Sequence, residues 1–255
     1  MNNRGQQISD WLAARVNAAA ARGLVVGISG GLDSAVVARL CQRATPDHVL
    51  GVVLPCHSDP RDEKDARTVI DAFGLASIRV DLDEAYDCLI GGVRAGLAAI
   101  PADQRPPGTS EEFDERSRVP LSNVKPRLRM AALYFVANSL NYLVAGTGNR
   151  SELTVGYFTK HGDGGVDVLP LGSLLKSEVR LLAVELGVPR AILDKPPSAG
   201  LWAGQTDEAE MGFSYNDLER YLIRGPEGVA PALALRLERM IRASEHKRRI
   251  APTPE

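Results

Sequence analysis

The feature that most constrains this chain is a glycine pair set between an apolar strand and a helix. Residues 24–28 (LVVGI) read as a buried strand, SGGLDS follows at 29–34, and helical periodicity begins at once. Glycines there let the backbone approach a phosphate closely, and the helix start supplies free N–H groups and a positive dipole end. No Gly-Lys-Ser/Thr comes after the glycines, so the lysine that a kinase-type loop places on the β- and γ-phosphates is missing. Ser29 and Ser34 add hydroxyl donors. Asp33 makes little sense against a phosphate alone, because like charges repel, and good sense as a ligand of Mg²⁺ that bridges to the phosphates. The plain alternative is a βα turn whose glycines serve packing only.

The neighbouring segments support the same layer. Helix 6–22, with Ile8, Trp11, Leu12, Arg15 and Val16 at three- and four-residue spacing, precedes strand 24–28. Helix 33–43, strand 48–54, helix 61–73, strand 77–81 and helix 82–98 follow in turn. This alternation predicts βαβ units and an α/β fold, a doubly wound parallel sheet with helices on both faces, in a single domain. In such a sheet the first strand's loop lies at the carboxyl ends, where ligands bind.

Residues 101–120, with four prolines and many charges, read as a long loop or mobile flap, and 195–213 as a second one. Between them the pattern predicts a helix over 122–139 with Pro126 near its first turn, strand 141–146, and a helix over 173–186 with Ser173 as N-cap and Gly187 as its stop. Helices over about 214–224 and 229–245 lead into a basic tail, HKRR.

Bulk properties exclude several classes. A chain of 255 residues with 44% hydrophobic content suits one sizeable core, and a net charge of −2 gives no electrostatic reason to expect a nucleic-acid partner. The opening MNNRGQQISDWLAARV lacks a signal peptide's apolar stretch, and no run approaches the roughly 20 apolar residues of a membrane span. Three widely spaced cysteines, Cys41, Cys56 and Cys88, form neither a disulfide framework nor a zinc cluster; Cys41 and Cys88 read as core or partly buried helix thiols. A cytoplasmic location is the default expectation.

The SGGLDS loop resembles that of the N-type ATP pyrophosphatases, which cleave ATP between its α- and β-phosphates. Four further stretches resemble the NAD synthetase family: NVKPRLR (123–129), GTGNRSELTVGYFTKHGDGGVDVLPLGSLLK (146–176), KPPSAGLWAGQTDEAEMGFSY (195–215) and EHKRR (245–249). The resemblance implies an adenine nucleotide alpha hydrolase-like, Rossmann-like fold. The implied activity is an ammonia-dependent ligase converting deamido-NAD⁺, ATP and ammonia to NAD⁺, AMP and pyrophosphate through an NAD-adenylate. It implies ATP contacts at Gly27, Ile28, Ser29, Gly30, Gly31, Leu32, Asp33, Ser34, Thr147, Lys176 and Ser198, with Asp33 and Lys176 catalytic. Mg²⁺ falls to Asp33 and Glu152, and deamido-NAD⁺ to Arg127, Lys160, Asp167, His246 and Lys247. It further implies a homodimer with the tail near the active site; the chain leaves no room for a glutaminase domain, although a separate glutaminase subunit stays open. His161 and Pro126 depart from residues common in the family. Rival readings are a tRNA-thiolating enzyme with the same loop, which would need a catalytic cysteine such as Cys56, a nucleotide sensor on the same α/β sheet that binds ATP without turnover, and GMP synthetase, to which the GYFTKHGDGG string does not belong.

Overall fold

The structure is a computed structural model and describes residues 4–105, 118–198, 200 and 205–254. Strands β1 (Gly23–Gly27), β2 (Val49–Val53), β3 (Ser77–Arg79) and β4 (Tyr142–Val144) form one parallel sheet in the order β3-β2-β1-β4. The helices are α1 (Arg4–Ala18), α2 (Leu32–Ala44), α3 (Pro60–Phe73), α4 (Asp83–Ala98), α5 (Arg118–Leu140), α6 (Arg150–Val155), α7 (Lys176–Glu185), α8 (Arg190–Leu193), α9 (Asp207–Met211), α10 (Tyr215–Arg224) and α11 (Pro231–Ala243).

Period-two alternation along β1 builds two cores. Leu24, Val26 and Ile28 join α1, α2, α3 and α7 on one face, while Val25 joins Val52, Val144 and Ala137 of α5 on the other. All three of Leu24, Val25 and Val26 are fully buried, each contributing roughly 1.5–3 kcal/mol of burial. With register pairs Val26–Gly51 and Val25–Val144, β1 sits between β2 and β4. Chain order runs outward from β1 to β3 and then jumps back to β4, so the switch point lies between β1 and β4, and the crevice at their carboxyl ends is the expected ligand position. The parallel bridge Ala145–Val168 carries the pairing one step beyond β4. A third cluster, Val155, Met211, Phe213, Leu218 and Leu237, packs α6 against α9–α11.

Several expectations shift. α5 is already helical at Arg118, the first described residue of that stretch, so Pro126 stands inside the helix, where it removes the bond to the Ser122 carbonyl. Ser173 is not an N-cap: α7 starts at Lys176, behind Leu175, whose N–H donates to Glu178 Oε2 at 2.8 Å. α1 covers Arg4–Ala18 and turns Trp11 outward, leaving Gly5, Ser9, Leu12 and Val16 to the core. Cys88 is exposed, since no residue of α4 is buried, whereas Cys41 and Cys56 are buried. Residues 106–117 of the expected first loop, and 199 and 201–204 of the second, lie outside the described residues; within 195–213 the chain forms α9, capped by Thr206.

Candidate active site

The glycine loop is shaped from both sides. Gly30 has φ +75°, and a Cβ there would stand 2.6 Å from the Asp62 carbonyl oxygen and 2.8 Å from Ala66 N, so the loop presses on the α3 backbone where only glycine fits. Gly31 opens α2 with no side-chain cap. Instead, Ser34 Oγ donates to the Gly31 carbonyl at 2.9 Å, Gly31 N–H donates to Ser29 Oγ at 3.2 Å, and the two hydroxyls stand 3.1 Å apart. The first-turn N–H groups of α2, uncapped by any side chain, are the donors an anion would take.

Three helix starts converge beside this loop. Asp33 lies in the first turn of α2, Glu152 in the first turn of α6, and Lys176 opens α7. Lys176 Nζ donates to Asp33 Oδ2 and lies 3.3 Å from Glu152 Oε1. Their side chains are 10% (Lys176), 17% (Asp33) and 15% (Glu152) exposed. Asn149 braces the group: its Oδ1 accepts from Glu152 N at 3.1 Å, its N–H donates to Glu152 Oε2 at 3.2 Å, and its Nδ2 reaches Asp33 Oδ1 at 3.4 Å. Glu152 is thus both a capping-box acid and a member of the charged centre. Burial pushes its carboxyl up to about 7, against the pull of Lys176 and with the push of Asp33. Burial alone would lower the Lys176 ammonium, but Asp33 and Glu152 hold it above its ordinary range.

A second layer comes from the far end of the chain. Tyr215 Oη donates to Asp207 Oδ2 at 2.9 Å and lies 3.2 Å from Glu152 Oε1, while its ring stands 5.3 Å from Lys176 Nζ. Tyr157 Oη donates to Glu210 Oε2 at 2.7 Å and lies 3.3 Å from Asp207 Oδ1. Asp207 is 4% exposed, and burial raises its carboxyl. Asp207, Tyr215 and Asn149 were within the motif strings but carry no individual sequence signal, because an acid and a tyrosine 52 and 60 residues past the end of α6 at Val155 show no periodicity that marks them as one cluster.

Of these groups Asp33, Glu152, Tyr157, Lys176 and Asp207 line a cavity of about 300 Å³, within the size of a small-ligand site. Gly27, Ile28, Ser29, Gly31, Leu32, Asp33, Ser34, Thr147, Glu152, Lys176 and Ser198 all face it; Gly30 faces α3 instead. Ser198 Oγ accepts from Gly200 N at 3.1 Å. Lys195 joins this segment to α3, its Nζ 2.8 Å from Asp62 Oδ1 and 2.7 Å from Asp65 Oδ2.

The five residues expected on the dinucleotide lie elsewhere. None lines the cavity. Arg127 is exposed and its Nε donates to the Lys160 carbonyl at 3.3 Å. Asp167 accepts from Val144 N at 2.8 Å and from Tyr134 Oη at 3.0 Å, which with burial raises the Tyr134 phenol to about 12. Lys247 Nζ donates to the Gly156 and Phe158 carbonyls at 2.7 and 2.8 Å, burial lowering its pKa; His246 is exposed. The tail is therefore clasped onto the end of α6, where Gly156 has φ +71° and a Cβ would strike Ser244. Arg61 is exposed and paired with Asp59. Cys56 lies behind the cavity wall, its thiol raised by burial.

The sequence model of NAD synthase matches residues 5–251. An NH(3)-dependent NAD(+) synthetase of Carboxydothermus hydrogenoformans is 49% identical over 98% of this chain and 96% of its own length. Among solved structures, an NMN synthetase from Francisella tularensis superposes with TM-score 0.85 at 36% identity, covering 98% of this chain and 97% of that one. An NH3-dependent NAD synthetase from Campylobacter jejuni follows at TM-score 0.77 and 27% identity, covering 99% and 97%.

Proposed function

The chain belongs to the NAD synthase family, and from that premise we propose how its residues perform ammonia-dependent synthesis of NAD⁺ from deamido-NAD⁺ and ATP. The observation that carries the assignment of roles is the convergence of Asp33, Glu152 and Lys176 beside the 29–34 loop.

The reaction joins a carboxylate to ammonia. A carboxylate oxygen of deamido-NAD⁺ attacks the α-phosphorus of ATP, the bond from that phosphorus to the bridging oxygen breaks, and pyrophosphate leaves. The ammonia lone pair then attacks the acyl carbon, the carbon–oxygen bond to AMP breaks, and a proton is released. The attacking carboxylate needs no activation, so the protein supplies positioning, charge stabilisation and exclusion of water. In this reading the hydroxyls of Ser29 and Ser34 and the first-turn N–H groups of α2 receive the pyrophosphate end, and Lys176 offsets charge building on the leaving group. Thr147 and Ser198, which also line the cavity, add hydroxyls to the ATP site.

Mg²⁺ fits the carboxylates present. Among the described residues no group of three or more acidic, histidine or cysteine side chains is placed to hold a metal. Two carboxylates, Asp33 and Glu152, suit an ion that usually takes one or two protein oxygens and draws the rest from phosphates and water. Held there, it would neutralise and orient the phosphates.

Arg127, Lys160, Asp167, His246 and Lys247 would meet deamido-NAD⁺ outside the ATP cavity. A homodimer accounts for the exposed Leu89, Val93 and Leu97 of α4 and for Phe135 of α5, which is 75% exposed. The Francisella tularensis relative carries the name of an NMN synthetase, so the mononucleotide acid is the rival acceptor. Parallel assays with deamido-NAD⁺ and nicotinic acid mononucleotide decide between them: a higher kcat/KM for deamido-NAD⁺ upholds this reading, and the reverse order replaces it.

A further inference from the structure

Four residues of α5, Pro126, Arg129, Met130 and Leu133, share one helical stripe and face the cavity. Arg127 stands about 100° further round the helix and points away. Within the cavity wall most cations already have protein partners. Lys176 is held by Asp33 and Glu152, Lys195 by Asp62 and Asp65, and Arg180 Nη2 donates to the Leu193 carbonyl.

Arg129 differs from the two lysines. Its Nε donates to the Leu54 carbonyl at 3.0 Å and its Nη2 to Ser58 Oγ at 3.0 Å, both on the turn after β2. Among the described residues no carboxylate forms an ion pair with it; its partners are neutral. Burial pulls the guanidinium below its ordinary range, against the opposing pull of Cys56, Asp163 and Asp62, and Lys125, one turn back, adds to the positive field. The two bonds fix one edge of the fork and leave the Nη1–Nη2 end with unused donors, the geometry that takes two oxygens of a carboxylate or phosphate.

We infer that Arg129 is a substrate-binding residue that receives, end-on, an oxyanion of one of the two nucleotide substrates. The inference rests on the synthetase reading above. A guanidinium held in place by neutral acceptors gains from an incoming anion what its desolvation costs, and its fixed orientation needs no reordering on binding.

The test pairs steady-state kinetics with calorimetric binding of ATP and, separately, of deamido-NAD⁺, in wild type, Arg129→Gln and Arg129→Lys. In Arg129→Gln the KM and Kd of one substrate should rise about tenfold or more while the other stays within about twofold; Arg129→Lys, a point charge without the fork, should fall between. A loss confined to ATP identifies a phosphate, and one confined to deamido-NAD⁺ identifies its carboxylate or phosphates. Unchanged KM and Kd for both substrates, with only kcat or Tm lowered, would make Arg129 a strut for the β2 turn and overturn the inference. Should Arg129→Gln not fold, Arg129→Lys carries the same decision. Wild type that makes no NAD⁺ would count against the synthetase reading instead, and the binding measurements would still decide Arg129.

Discussion

Lys176 Nζ lies 3.3 Å from Glu152 Oε1 while also donating to Asp33 Oδ2, so one ammonium bridges two nearly buried carboxylates. Without it the two acids would have no cation between them, and Asp33 already opposes the ionisation of Glu152. Breaking a buried charged set by removing one partner costs about 3–5 kcal/mol. Lys176→Met is therefore expected to lower Tm sharply, to recover part of the loss in Mg²⁺, and to cut kcat by roughly 10²–10³ as a lost transition-state donor. Thermal melts with and without Mg²⁺, beside kcat, check this; a variant that melts like wild type contradicts the bridge.

Asp33→Asn keeps the size of the side chain and removes the charge. Turnover should be nearly abolished while the far-UV spectrum and a cooperative melt persist, because Lys176 keeps Glu152. Activity within a few-fold of wild type would remove Asp33 from the metal site.

Glu152 gives a pH dependence with a definite sign. Its carboxyl is raised from 4.5 to about 7 in the fold, so the folded state holds a proton that the unfolded chain releases. That contribution to stability is complete below about pH 4.5 and lost as pH rises through about 7. Mg²⁺ takes the ionised form, so its stabilising effect should grow between pH 6 and 8. Glu152→Gln should flatten both trends in Tm measured against pH, and an unchanged slope would place the titration elsewhere.

Lys247 clasps the tail to the carbonyls of Gly156 and Phe158. Lys247→Met strands two acceptors and should cost about 1–3 kcal/mol in denaturant unfolding. His246→Ala, at an exposed position, should change stability by less than about 0.5 kcal/mol. Equal losses for the two would contradict the clasp.

Cys56 separates the enzyme from a thiolating relative. The thiol is buried and raised, with Sγ 4.0 Å from the Leu82 carbonyl, which suits packing rather than attack. Cys56→Ser should keep kcat within a few-fold; its loss in a folded protein would reopen the thiol chemistry.

The sheet was legible because β1 and β2 are short apolar runs bounded by turns, and the loop because glycine, serine and aspartate stand between a strand and a helix in an order that few folds need. Asp33, Glu152 and Lys176 carry separate local signals, and their meeting follows from topology: each opens a helix at the same sheet edge. Asp207 and Tyr215 were not legible, since only the packing of α6 against α9–α11 brings them to Glu152. Arg129 escaped for a different reason. Two arginines two residues apart on α5 look alike in sequence, and only the packing of α5 against the cavity decides which one faces inward. Pro126 misled in the same way, because proline usually marks a helix start and here stands inside one.

The central claim is that adenylylation and amide formation occur on one chain. The most direct measurement incubates the purified protein with deamido-NAD⁺, ATP, Mg²⁺ and ammonium, and follows NAD⁺ by a coupled dehydrogenase beside pyrophosphate release. The account predicts NAD⁺ and pyrophosphate appearing one for one, with NAD⁺ formed only when ammonium is present. A folded, ATP-binding protein that yields neither product, or pyrophosphate without NAD⁺, would contradict it.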